Sequence, residues 1–228
     1  MHSLVSFSSS AGVAQGYLAR PAQGSANDKA KVGIIVLQEW WGLVPHIKDV
    51  AQRFAALGFV ALAPDLYHGK STVDAEEATH LMKGLDWGRA TQEIAGAVQH
   101  LRETEGCTQV GVVGFCMGGA LAVIAASLPG VNAYAAFYGF PPAGALDLSK
   151  IQVPGLIVFG EHESHFSIPD AQAFAEKQRG RSLPTEVVVY PGAHHAFFND
   201  TRPEVYKKDA AADAWQRTVT LFSGLRQQ

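Results

Sequence analysis

Cys116 stands in the segment Gly114-Phe115-Cys116-Met117-Gly118-Gly119, between a run of β-branched residues and glycine, 110–114, and an alanine-rich stretch, 117–128. A residue flanked by glycines at a strand-to-helix turn is the setting of a nucleophile elbow, here with cysteine where serine is usual. The glycines let strand and helix pack closely around a strained residue. The helix N-terminus behind the sulfur carries partial positive charge, which favours a thiolate. The Met117 N–H points into the same space and can donate to an oxyanion. A lone cysteine is ordinarily a small apolar packing residue; the strand–turn–helix context argues for chemistry instead.

A thiol nucleophile needs a base, and the base needs an acid to orient it. His194 and His195 follow the strand-like residues 186–190 in Tyr190-Pro191-Gly192-Ala193-His194-His195-Ala196-Phe197-Phe198. This is the last strand end before the final helix, where the base of an elbow enzyme arrives. Of two adjacent histidines only one can face the sulfur. We assign His195 and read His194 as a solvated loop residue. The acid is expected in Gly160-Glu161-His162-Glu163-Ser164-His165-Phe166, after the strand-like residues 155–159. Glu163 is the assignment, with Glu161 and Asp170 as alternatives.

A further acid, Glu39, follows residues 32–37 in Gln38-Glu39-Trp40-Trp41-Gly42. By position Trp40 lends a second backbone N–H to the oxyanion. A carboxylate beside the thiol would raise the thiol's pKa, in opposition to the helix terminus. Trp41, Phe115, Tyr138 and Phe197, with Trp40 and Phe198, are candidates for an apolar substrate pocket. His162, His165, His194 and His195 with Glu161 and Glu163 would also suit zinc. No H-E-x-x-H helix or paired-cysteine motif accompanies them, and the elbow accounts for the same residues, so no metal or other cofactor is expected.

The elements that must position these residues alternate along the chain. Val5, Phe7 and residues 14–18 read as two short antiparallel edge strands, and residues 21–31 as a loop. Residues 32–37 are a continuous apolar run, as for a strand buried on both faces. Residues 46–57 have helical spacing (Ile47, Val50, Ala51, Phe54, Leu57) and stop at Gly58. Strands follow at 59–63, 110–114, 133–138, 155–159 and 186–190. Helices follow at 74–81, 87–103, 117–128, 168–179 and 205–225, and residues 139–146 read as a loop. Such alternation implies a mostly parallel sheet with helices on both faces. Right-handed crossovers then bring the strand C-terminal ends to one edge, where ligands bind.

The 228 residues are 47% hydrophobic and 17% charged, with a net charge of −3 and no basic run. Neither nucleic acid nor an anionic membrane is implied as a partner. No apolar stretch is long and uniform enough to span a bilayer. The two cysteines, Cys107 and Cys116, flank a strand whose ends lie about 20–30 Å apart, too far for a disulfide. Free thiols suit a reducing compartment, and the N-terminus has no basic start followed by an apolar run. The expected location is the cytoplasm, for a monomer or small homo-oligomer. No linker or repeat divides the chain, so residues 1–228 are expected to form a single domain.

The chain resembles the dienelactone hydrolase (carboxymethylenebutenolidase) family over nearly its whole length. The matches are Gln38-Glu39-x-x-Gly42, Pro64-Asp65-Leu66-Tyr67, the Cys116 elbow, Phe137-Tyr138-Gly139, Gly160-x-x-Glu163 and Tyr190-Pro191-Gly192-Ala193-x-His195-Ala196-Phe197. The resemblance implies an α/β-hydrolase fold, a Cys116–His195–acid triad, and hydrolysis of a small ester or lactone through a thioester. It also implies that Glu39 holds the resting cysteine as a thiol and takes its proton when substrate binds. The chain departs from the family in two respects. Glu163 stands where aspartate is usual. The two arginines that hold a substrate carboxylate are absent: one stretch reads His68-Gly69-Lys70, and four residues after His195 stands Asn199. Lys70 and Arg202 are the nearby cations, and a lysine does not reproduce a bidentate clamp. A thioesterase or other acyl hydrolase would use the same triad, and an inactive ligand-binding or redox-sensing homologue would keep the scaffold.

Overall fold

The computed structural model describes residues 2–22, 31–142, 144–145, 147–181 and 183–227. Most of the expected loop at 21–31, and residues 143 and 146 of the loop at 139–146, lie outside the described residues. Strands β1 (His2–Ser9) and β2 (Gly12–Ala19) form an antiparallel hairpin. The strands that follow are β3 (Val32–Leu37), β4 (Val60–Pro64), β5 (Gln109–Phe115), β6 (Ala133–Phe137), β7 (Gly155–His162) and β8 (Thr185–His194). All lie in one eight-stranded sheet of order β1-β2-β4-β3-β5-β6-β7-β8. β2 joins β4 antiparallel, and every pairing from β4 to β8 is parallel. The helices are α1 (Pro45–Ala56), α2 (Ala75–Lys83), α3 (Trp87–Glu103), α4 (Met117–Ala125), α5 (Ile168–Gly180) and α6 (Lys208–Ser223). This is the mostly parallel, helix-covered sheet expected from the alternation, in the α/β-hydrolase arrangement that the resemblance implies.

The apolar runs split by parity, as the two-residue period of a strand requires. Ile34, Val36, Val113 and Phe115 face one core with Phe54 of α1 and Phe222 of α6. Ile35, Leu37, Val110 and Val112 face the other, with Leu101 of α3 and Leu121 of α4. A sheet covered on both sides leaves only its strand ends open to ligand. Helix starts are set by local chemistry. Pro45 opens α1, while Asp74, Asp86 and Ser167 cap α2, α3 and α5 by accepting from the N–H of Glu77, Arg89 and Asp170.

Several boundaries differ from the sequence expectation: β7 runs on to His162 rather than 159, α4 ends at Ala125 rather than 128, and two further differences lie beside the site. β8 does not stop at Tyr190; it continues through a register shift to pair His162 with His194. Backbone pairing carries it past the apolar pattern, and Glu161 Oε2 accepts from the Gly192 N–H at 2.7 Å. α6 begins at Lys208 rather than 205. Residues 199–206 form successive turns instead, with the Arg202 N–H bonded to Asn199 O and the Tyr206 N–H to Arg202 O.

Phe222 is fully buried, 5.9 Å from the Phe54 ring, and occupies the space over Gly111 that any larger residue there would need. Phe222→Ala is expected to lower the unfolding free energy by about 3–5 kcal/mol. Urea unfolding should show this as a lower midpoint at constant slope.

Candidate active site

Cys116 adopts φ 55° and ψ −118° between β5 and α4. A positive φ is rare for a residue with a side chain and persists only where the surroundings impose it. Those surroundings are backbone. A Cβ on Gly114 would lie 1.9 Å from Gly118 O, and one on Gly118 would lie 2.5 Å from Leu37 O. The Cys116 N–H is tied to Phe137 O at 2.9 Å. Two further non-glycine residues with positive φ, Tyr138 at 39° and Ala196 at 64°, lie at the ends of β6 and β8 beside it.

No side chain of the Cys116 N-cap takes up the first donors of α4. The backbone N–H groups of Met117 and Trp40 face the sulfur, and each favours the thiolate. Burial and the negative charge of Glu39 act the other way and prevail, pushing the Cys116 thiol up to about 12. Of the two opposed effects expected from the sequence, the carboxylate and the desolvation outweigh the helix terminus. Cys116 rests as a neutral thiol. Cys107 and Cys116 are both free.

Glu39 is itself buried, and both of its oxygens are occupied. The Tyr138 hydroxyl donates to Oε1 at 3.1 Å, and Asn199 Nδ2 donates to Oε2 at 2.8 Å. Asn199 therefore has a defined role at the position where the resemblance had pointed to a missing arginine. Gln38, next in the chain, accepts the Leu66 N–H through Oε1 and links the β3 end to the β4 end.

His195 Nδ1 lies 2.8 Å and 3.0 Å from the two oxygens of Glu163. The Glu163 side chain has no exposure, whereas that of His195 keeps 16%. The extra methylene of glutamate, relative to aspartate, is accommodated. The His165 N–H also donates to Glu163 Oε1 at 2.8 Å. Engaging Nδ1 in this way leaves Nε2 as the working nitrogen. The ring is packed by Tyr138 edge-on at 5.0 Å, His165 at 4.6 Å and Phe166 stacked at 5.9 Å. Of the alternative acids, Glu161 is exposed and bonded to Gly192, and Asp170 sits exposed in the first turn of α5. His194 is exposed, its ring 4.8 Å from that of His162.

A cavity of about 450 Å³ opens over the sulfur. Cys116, His195, Glu39, Trp40, Trp41, Met117, Ala120 and Ala196 line it together. Its further walls are Met82 of α2, Trp87 of α3, Pro142, His165, Phe166 and Arg202. Four expected lining residues are placed elsewhere. Phe115, Tyr138 and Phe197 are fully buried in the core, and Phe198 is buried with them. Phe115 packs on Phe137 and Phe198, and Phe197 on Tyr138 and Tyr190, because strand-end aromatics satisfy the inner core before the cavity. Of the two cations considered, Arg202 lines the cavity and Lys70 borders a separate one.

Because a negative charge at residue 39 adds to burial in holding the thiol protonated, its removal moves the thiol down and exposes more thiolate at any given pH. Iodoacetamide should alkylate the wild-type Cys116 slowly at pH 8, at a rate climbing about tenfold per pH unit below the thiol's pKa. Glu39→Gln should raise the rate at pH 8 by about tenfold or more. An equal or slower rate in the variant would refute the charge assignment.

The sequence profile of the dienelactone hydrolase family matches residues 14–225. Protein usf of Aquifex pyrophilus is 34% identical over 232 residues, which cover 97% of this chain and 98% of its own. A candidate carboxymethylenebutenolidase of Synechocystis is 33% identical over 230 residues, 91% of this chain and 90% of that protein. The crystal structure of a candidate dienelactone hydrolase from Klebsiella pneumoniae superposes with a TM-score of 0.82 at 25% identity, covering 98% of this chain and 99% of the other. A dienelactone-hydrolase-like promiscuous phosphotriesterase from metagenomic libraries shares the fold, with a TM-score of 0.84 at 24% identity over 98% of each chain. No helix among the described residues is long and apolar enough to cross a membrane. Elbow, strand order and full-length similarity agree: the chain belongs to the dienelactone hydrolase family of α/β-hydrolases.

Proposed function

We propose that the protein hydrolyses a small ester or lactone through a thioester on Cys116, with His195 as base, Glu163 as its orienting acid and Glu39 as the proton acceptor for the thiol. The observation that carries this reading is the position of the sulfur. It sits against two backbone donors, Trp40 and Met117, in a cavity that also holds His195. Donors fixed in this way hold the oxygen of a tetrahedral intermediate, and losing one costs about 3–4 kcal/mol of the barrier in known enzymes.

Binding of substrate over the sulfur displaces water from the cavity. The thiol proton passes to Glu39, leaving a thiolate that the two N–H groups stabilise. The thiolate attacks the carbonyl carbon, and the oxygen takes up the negative charge between those donors. Collapse breaks the carbonyl–oxygen ester bond and forms the thioester. The departing oxygen carries away the proton that Glu39 had taken. His195 then removes a proton from water, the hydroxide attacks the thioester, and the sulfur leaves with the proton from His195. Ester and water become acid and alcohol, and the thiol and Glu39 return to their starting forms. A thiolate is a good leaving group, so enol, phenol and lactone oxygens suit this site better than amide nitrogens.

Cys116→Ala should abolish hydrolysis of p-nitrophenyl acetate. Glu163→Gln should lower kcat by about 10²–10⁴. In His195→Ala, acid-quenched mass spectrometry should show an acyl adduct on Cys116, because the water step lacks its base. Full activity in Cys116→Ala would overturn the mechanism. An adduct on the wild-type protein without turnover would point instead to a non-catalytic ligand-binding role.

A further inference from the structure

The chain has four tryptophans. Trp215 packs on Phe54 and joins a core. Trp40, Trp41 and Trp87 belong to neither core cluster, and all three line the cavity over Cys116. Trp40 and Trp41 meet edge to face at 4.8 Å. Trp87, in the first turn of α3, is 37% exposed. Met82, at the C-terminal end of α2, and Phe166, after β7, add apolar walls. Large aromatic surface that the fold does not use for its own packing is available to a ligand.

The carboxylate and the guanidinium at the cavity, Glu39 and Arg202, each already have a partner. Glu39 is satisfied by Tyr138 and Asn199, and its field acts on the sulfur. The Arg202 guanidinium lies over the Trp41 ring at 5.7 Å, and its Nε donates to Glu204 Oε1 at 2.8 Å. An incoming carboxylate would be repelled by Glu39 and would have to compete with Glu204 for Arg202. An uncharged apolar group meets neither obstacle.

We propose that Trp40, Trp41 and Trp87 form a subsite for an uncharged aromatic or extended apolar group, so that the protein selects neutral hydrophobic esters over carboxylate-bearing ones. This rests on the hydrolase reading for its kinetic form, and on the cavity alone for its binding form.

The test uses p-nitrophenyl acetate, butanoate, hexanoate and hemisuccinate at fixed ionic strength, with wild type, Trp87→Ala and Arg202→Gln, and with Cys116→Ala as the blank. The wild-type kcat/KM should rise by about fourfold for each methylene that reaches the tryptophans. Hemisuccinate should be at least about tenfold poorer than butanoate. Trp87→Ala should remove most of the hexanoate-to-acetate ratio, with the loss in KM more than in kcat. Arg202→Gln should shift the hemisuccinate-to-butanoate ratio by less than about twofold. A preference for hemisuccinate that disappears in Arg202→Gln would overturn the proposal, as would a chain-length dependence untouched by Trp87→Ala. Absence of Cys116-dependent turnover on every ester would sink the hydrolase reading instead. The subsite is then read by tryptophan fluorescence of Cys116→Ala titrated with methyl hexanoate and with monomethyl succinate. Tighter binding of methyl hexanoate, weakened in Trp87→Ala, sustains the proposal, and equal binding of the two ligands refutes it.

Discussion

The backbone at residue 116 is held where a side-chain-bearing residue does not go by choice. A φ of 55° with ψ −118° costs of the order of 1–3 kcal/mol, and the surroundings must impose it. They do so by bringing β3, β5, β6 and α4 into backbone-to-backbone contact around Gly114, Gly118 and Gly119. Three consequences follow from that close approach. The sulfur is lifted to the rim of the sheet. The first turn of α4 presents Met117 N–H to it. The end of β3, pressed against Gly118, brings Trp40 N–H to the same point. The two cores that flank the sheet are what keep the strained turn from relaxing.

Once the sulfur is fixed there, its protonation is decided by competition. A helix N-terminus stabilises an anion by about 0.3–1 kcal/mol, up to about 2 in buried geometry, and one pKa unit corresponds to 1.36 kcal/mol. Burial and the Glu39 charge exceed that, and the thiol moves up to about 12. A thiol in that state resists stray alkylation and oxidation, since the thiolate is the reactive form. His195 is oriented by its carboxylate partner, Glu163, which occupies its Nδ1 and is shut away from solvent.

Much of this was legible in the residues. The elbow, the parallel sheet and the order of Cys116, Glu163 and His195 along the chain followed from local patterns that physics ties to local structure: glycine where backbones touch, apolar runs where both faces are buried. Side-chain destinations at strand ends were not legible. Phe115, Tyr138 and Phe197 stand in the same motifs as the site residues, but whether an aromatic ring turns to the core or to the cavity depends on partners far along the chain. Met82 and Trp87 carried no mark at all, since an apolar residue on an amphipathic helix reads as core. The end of β8 was missed because ladder pairing needs no apolar side chains.

Asn199 joins the two halves of the site's chemistry. Four residues beyond His195, it replaces a cation of the family pattern and satisfies Glu39 Oε2 with a neutral amide. A guanidinium there would cancel the charge of Glu39, weaken its hold on the thiol proton and attract a carboxylate into the cavity. An amide supplies the hydrogen bond and leaves the charge intact. An intact charge at Glu39 favours the thiol form of Cys116 and, on the proposed reading, disfavours anions above it. On that reading, the carboxylate at residue 39 thus acts with burial on the thiol and also bears on the charge of the ligand, so a change at residue 39 would move both.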